Sequence, residues 1–110
     1  MKSFTGIEQS KKLAEILPIE SADMHWQYIE EDDRQLQWFC FPKDFSINQH
    51  DTVSAWSLAA LLNVLPSSTL DSSDDHHYRM HCMERFTEWF DNPIDACYEM
   101  ILKLKEKGLL

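Results

Sequence analysis

Apolar residues recur at helical spacing in three stretches of the chain and at every second position in the segments between them. Thr5-Gly6-Ile7-Glu8 has the form of a capping box, in which the Thr5 hydroxyl accepts from the Glu8 amide and the Glu8 side chain reaches back. Ile7, Leu13, Ala14 and Leu17 then share a face, and Pro18 cannot donate the hydrogen bond that would continue the turn. A first helix is therefore predicted from Gly6 to Leu17. Met24 to Ile29 and Leu36 to Phe41 are rich in aromatic and branched residues and are separated by the polar run Glu30 to Gln35, which predicts a hairpin. Period two places Met24, Trp26 and Tyr28 on one face of its first strand and Leu36, Trp38 and Cys40 on one face of its second, so Trp26 and Trp38 are expected in the core.

Pro42 to Asp51 reads as an irregular connection held by Phe45 and Ile47. Ser54 is then expected to cap a helix from Ala55 to Leu65, built of strong helix formers and ended by Pro66. Ser67 to Asp75 is too polar for a core and reads as an exposed loop. His76 to Glu84 alternates again, with Tyr78, Met80 and Cys82 on one face and His77, Arg79 and His81 on the other, which predicts a third strand. Arg85 to Phe90 continues as a fourth after a turn or bulge that no Gly or Asn marks. Asn92, Pro93 and Asp95 suit the cap, first position and first turn of a last helix, which runs to about Lys107 and stops at Gly108. The predicted order is α-ββ-α-ββ-α, an α+β fold with helices packed on one antiparallel sheet of about four strands.

Size and charge restrict what such a fold can do. The chain has 110 residues, of which 44% are hydrophobic, enough for one core and one domain. No run approaches the 18 or more apolar residues of a membrane span, and Met1 to Lys12 lacks the apolar stretch of a signal peptide, so the expected setting is cytoplasmic and away from membranes. Cys40, Cys82 and Cys97 are odd in number, lie in apolar segments and are expected to be reduced, buried thiols. The net charge of −9 is uneven: Glu20 to Glu99 holds sixteen acidic residues against four basic ones, while the two ends are basic on balance. An acidic middle repels phosphate backbones, which argues against direct nucleic-acid binding.

Chemistry-bearing spacings are few. His76, His77, His81 and Cys82 lie within seven residues, with Asp23 and His25 able to approach from a neighbouring strand. On a strand, however, Arg79 falls between His77 and His81, and a guanidinium between two ligands opposes a cation. His76, His77 and His81 are thus candidate metal ligands, with His77 and His81 the pair a metal-dependent hydrolase would use, but no metal site or cofactor is expected. Cys97 sits near a helix start among Asp91, Asp95 and Glu99, which raise a thiol pKa. Glu30 to Asp33 lacks the alternation of a calcium loop. With Gly6 and Gly108 alone, no Gly-rich phosphate loop is possible.

Lys11 to Asp23, Ser54 to Pro66 and Asn92 to Leu110 together resemble small uncharacterised proteins encoded by prophages and other mobile elements of gut Bacteroides-type bacteria, which have no assigned activity. The resemblance implies a source and a cytoplasmic setting and transfers no catalytic residue. The function expected from the residues is a non-enzymatic, acidic protein-binding accessory protein of a mobile element. The predicted Ser54–Leu65 helix is apolar almost all round, so Trp56, Leu58, Leu61 and Leu62 are the expected surface for a protein partner or self-association. The alternatives are a nucleic-acid-mimicking inhibitor and, from a different class, the hydrolase using His77 and His81.

Overall fold

The computed structural model describes residues 2–31, 35–43 and 52–110. Among them run α1 (Ile7–Ala14), a 3-10 turn (Ile19–Ser21), β1 (Met24–Glu31), β2 (Gln35–Pro42), β3 (Thr52–Ala55), α2 (Leu58–Val64), β4 (Ser68–Ser72), β5 (Tyr78–Cys82), β6 (Arg85–Phe86) and α3 (Pro93–Glu106). The class is α+β as expected, but six strands form two antiparallel sheets, β2-β1-β3 and β4-β5-β6, where one sheet of about four was predicted. The reason lies in β3. Thr52 and Val53 are β-branched, and Thr52 to Ala55 pair with Gln27 to Met24, so β1 has a neighbour on each side and no edge left for the second hairpin.

The first helix starts one residue later than predicted and ends three residues earlier. Gln9 Oε1 accepts from the Gly6 amide at 3.0 Å, so the cap is built on Gly6 and Gln9 rather than on Thr5 and Glu8. Thr5 is otherwise engaged: it is fully buried, and its hydroxyl accepts from the Trp56 amide at 3.1 Å and bonds the Ser10 hydroxyl at 2.7 Å. Its own amide donates to the Trp56 carbonyl at 2.9 Å, and its carbonyl accepts from Trp26 Nε1 at 3.0 Å. One threonine thereby ties the N-terminal segment to β1 and to the end of β3.

Ser54 lies in β3, not at a helix start. The cap of α2 is Ser57, whose hydroxyl accepts from the Ala60 amide and donates to Asp23. Ser67 to Asp75 is not a loop throughout, since Ser68–Ser72 pairs with β5 across its whole length. Its polar side chains are compatible with a strand because the outer face of this sheet is solvated. The first hairpin and the last helix follow the expectation. Asn92 Oδ1 accepts from the Asp95 amide at 2.9 Å, and Gly108, at φ +71°, ends α3 with Leu109 N–H donating to the Leu104 carbonyl. The predicted connection from Pro42 to Asp51, with Phe45 and Ile47, falls on 44–51 and lies largely outside the described residues, as do 32–34 of the acidic run.

The core joins Leu13 and Leu17, Trp56, Leu61 and Leu65, Met80 and Cys82, and Ile94, Cys97, Met100, Ile101 and Leu104. α3 packs on β5 and α2, and α1 lies against β3. Trp26 and Trp38 are half-buried rather than central, and the tryptophan at the centre is Trp56, whose Nε1 donates to Ser21 Oγ at 2.9 Å. Among the described residues no helix is long and apolar enough to cross a membrane.

Candidate interaction surface

The alternation of β5 turns Met80 and Cys82 onto α3 and leaves Arg79 and His81 on the outer face of the second sheet. Opposite them on β4 stand Asp71 and Thr69, and Asp71 Oδ2 accepts from Arg79 Nε at 3.2 Å. On the other side, β6 begins after a two-residue turn, Met83-Glu84, in which both residues have positive φ (51° and 65°). This is the backbone of a type I′ turn, which matches strand twist but ordinarily takes Asn-Gly.

Beyond that turn the strand gains one residue on its partner. His81 pairs with Phe86, yet Tyr78 bridges Phe90, so four steps on one strand span three on the other. The surplus is a β-bulge opposite Arg79. Its effect is to reverse the alternation: Thr87 is buried, with its hydroxyl accepting from the Met80 amide at 2.9 Å, and Phe90 packs on the core. Trp89 then joins Phe86 on the outer face.

These side chains form one stack. The Arg79 guanidinium lies 4.6 Å from the Phe86 ring centre and 4.6 Å from that of Trp89. His81 stacks on Phe86 with centroids 4.1 Å apart and planes 4° from parallel. Phe86 and Trp89 remain 47% and 45% exposed, and Met83 at the turn is 45% exposed. Phe86 and Trp89 thus lie along the β6 side of the second sheet's outer face, with Met83 at the β5–β6 turn and Trp89 beside Asp75 and His77 towards the other end. Neither Phe86 nor Trp89 was singled out by sequence reasoning, because strict alternation from Arg85 to Phe90 separates them onto opposite faces. The signal that was present is the unmarked turn itself.

The residues singled out by sequence are placed otherwise. Trp56 and Leu61 are fully buried and cannot form a surface; Leu58 is half-buried against the core; Leu62, 37% exposed, faces out. Burial accounts for one side of α2, where Ala60, Leu61 and Leu65 lie in the core and α3 covers them, while Ala59 and Leu62 stay exposed. His76 occupies the left-handed position (φ 60°) of the β4–β5 turn, where its amide donates to the Ser73 carbonyl at 3.1 Å. His77 and His81 flank Arg79, and among the described residues no three His, Cys, Asp or Glu side chains gather as metal ligands. Asp23 is held by Ser57, and His25 lies against Gln27 and Phe41.

The thiols are also committed to packing. Burial pushes Cys97 up to about 12, burial and the nearby Asp23 push Cys40 up to about 11, and burial raises Cys82 against the opposing effect of Arg85. All three are free cysteines, and Cys40 is half-buried rather than buried. A cleft of about 630 Å³ is lined by Lys2, Gln9, Trp26, Asp95 and Tyr98 among others. Asp95 Oδ1 there accepts from Lys2 Nζ at 3.0 Å and Gln9 Nε2 at 2.8 Å, and its Oδ2 accepts from Asn92 Nδ2 at 2.8 Å. Burial alone would raise this carboxyl, but the bonds from Lys2, Asn92 and Gln9 outweigh it and hold the pKa below its ordinary 3.8. The network clamps the starts of α1 and α3 together and commits the Asp95 carboxylate to three donors. No family model matches the chain, and no curated protein and no solved structure matches it.

Proposed function

We propose that the protein is a non-enzymatic protein-binding module, and that it binds through the outer face of the second sheet rather than through α2. The observation that carries this reading is the stack Trp89, Arg79, Phe86, His81, with both large rings about half exposed. Trp and Arg dominate interface energetics because each combines large contact area with a directional polar or cationic group. Here they are also held in place by one another and by Asp71, so little side-chain entropy remains to be lost on binding. A non-enzymatic role is supported by thiols that burial keeps protonated, by Asp95 being committed to three donors, and by Arg79 standing between His77 and His81. The setting in a mobile element rests on the three resembling stretches of sequence. Nucleic-acid mimicry and metal-dependent hydrolysis have no arrangement among the described residues that favours them.

Affinity capture after in-cell cross-linking, comparing the wild type with Phe86→Ser/Trp89→Ser, tests the reading. Partners captured by the wild type are expected to disappear from the variant while its thermal melting curve is retained. Capture of the same partners by the variant, or of none by the wild type, refutes it.

A further inference from the structure

Phe86 has a second neighbourhood. Between the Met83-Glu84 turn and the last turns of α3 runs a groove of about 380 Å³, lined by Arg85, Phe86, Lys103, Glu106 and Lys107. Its three cations come from two elements far apart in sequence. Among the described residues none of the three is in an ion pair, nor is Lys105 on the same helix, whereas Lys2, Lys11, Lys12 and Arg79 are paired with Asp95, Glu8, Glu15 and Asp71. In a chain with 19 acidic residues against ten basic ones, cations have carboxylates at hand almost everywhere, and here three converge with one glutamate among them. Lysines in a last helical turn favour the helix dipole, and Arg85 Nη1 donates to the Met83 carbonyl at 3.1 Å, which holds the guanidinium at the β5–β6 turn without neutralising its charge.

We propose that this groove receives an acidic peptide segment of the partner protein, with carboxylates at Arg85, Lys103 and Lys107 and an apolar side chain on Phe86. The proposal rests on the protein-binding reading above and names the chemistry of the partner. Charge complementarity selects the occupant: three cations outside any ion pair, beside the exposed part of Phe86, match a short run of carboxylates interleaved with apolar residues. A nucleic acid is disfavoured, because the cationic footprint is short and an extended polyanion would run past it onto acidic surroundings such as Glu88 and Glu99, which line the adjoining hollow beside Lys103.

The test is a titration of the isotopically labelled full chain with a synthetic peptide of alternating Glu and Leu, followed by amide chemical shifts. A peptide of alternating Lys and Leu and a single-stranded DNA oligomer are titrated in parallel. The acidic peptide is expected to shift Arg85, Phe86, Lys103 and Lys107, and its affinity should fall about tenfold or more in Lys103→Glu/Lys107→Glu and decline with added salt. Both lysines are exposed, so the variant keeps its fold, which circular dichroism verifies. The proposal is overturned if the acidic peptide leaves these amides unmoved, if the charge-reversed variant binds it equally well, or if the DNA binds the same residues more tightly. Should capture of the partner be lost in Phe86→Ser/Trp89→Ser but kept in Lys103→Glu/Lys107→Glu, the groove proposal fails and the sheet-face reading stands.

Discussion

Two residues show how far a side chain's role is set by what surrounds it. Trp56 follows a strand and precedes a helix, and it is both fully buried and hydrogen-bonded to Ser21 through its indole nitrogen. Trp56→Ala is expected to lower the unfolding free energy in urea by about 3–5 kcal/mol, the usual cost of a large aromatic cavity. Leu62→Asp on the exposed side of the neighbouring helix should change it by less than about 1 kcal/mol. Asp95 gives a pH-dependent case. Its folded pKa is depressed, so its contribution is present above the unfolded value and disappears as pH falls through the folded one. Asp95→Asn should therefore destabilise by about 1–2 kcal/mol at neutral pH. The gap to the wild type should begin to narrow below about pH 4, the ordinary carboxylate range, and close only as pH falls through the lower folded pKa.

Elements differ in how fully their local sequence specifies them. α3 is specified at both ends, by Asn92 and Pro93 at its start and Gly108 at its finish, and it forms as read. The β5–β6 turn is the opposite case, since Met83 and Glu84 adopt a left-handed conformation that costs non-glycine residues about 1–2 kcal/mol each. The turn persists because Cys82 and Met80 are anchored in the core on one side and Thr87 on the other. Met83→Asn/Glu84→Gly is accordingly expected to stabilise the protein by about 1–2 kcal/mol, read as a shift of the urea midpoint at unchanged m-value. An unchanged or lower midpoint would show that the native turn carries no such strain.

At the scale of the molecule, helices from the beginning, middle and end of the chain share one buried cluster with β5. Cys82 and Cys97 belong to it, and Cys40 does not. Alkylation by iodoacetamide at mildly alkaline pH should therefore modify Cys40 first, and Cys82 and Cys97 only at the rate at which the core opens. Cys97 adds a pH signature. Its folded pKa is raised to about 12 from 9.0, so the stability associated with the neutral thiol is whole below pH 9 and is lost as pH rises towards 12. Modification of Cys97 as fast as Cys40 in the native state would show that the cluster is not closed.

Local sequence determined the α+β class, the first hairpin, the inward face Tyr78-Met80-Cys82 and the capped last helix, because alternation, helix caps and proline stops act within a few residues. It did not determine that Thr52 to Ala55 would be a strand, that Ser68 to Ser72 would pair with β5, or that Trp56 rather than Trp26 would lie at the centre. Those outcomes depend on which strand edges and which core volume are offered by distant parts of the chain. The candidate surface was legible in its ingredients, Arg79 and His81 on an outward face, but not in its composition. Only the tertiary structure, by pairing Phe86 with His81 and Phe90 with Tyr78, forces the extra residue into a bulge and carries Trp89 to the side of Arg79.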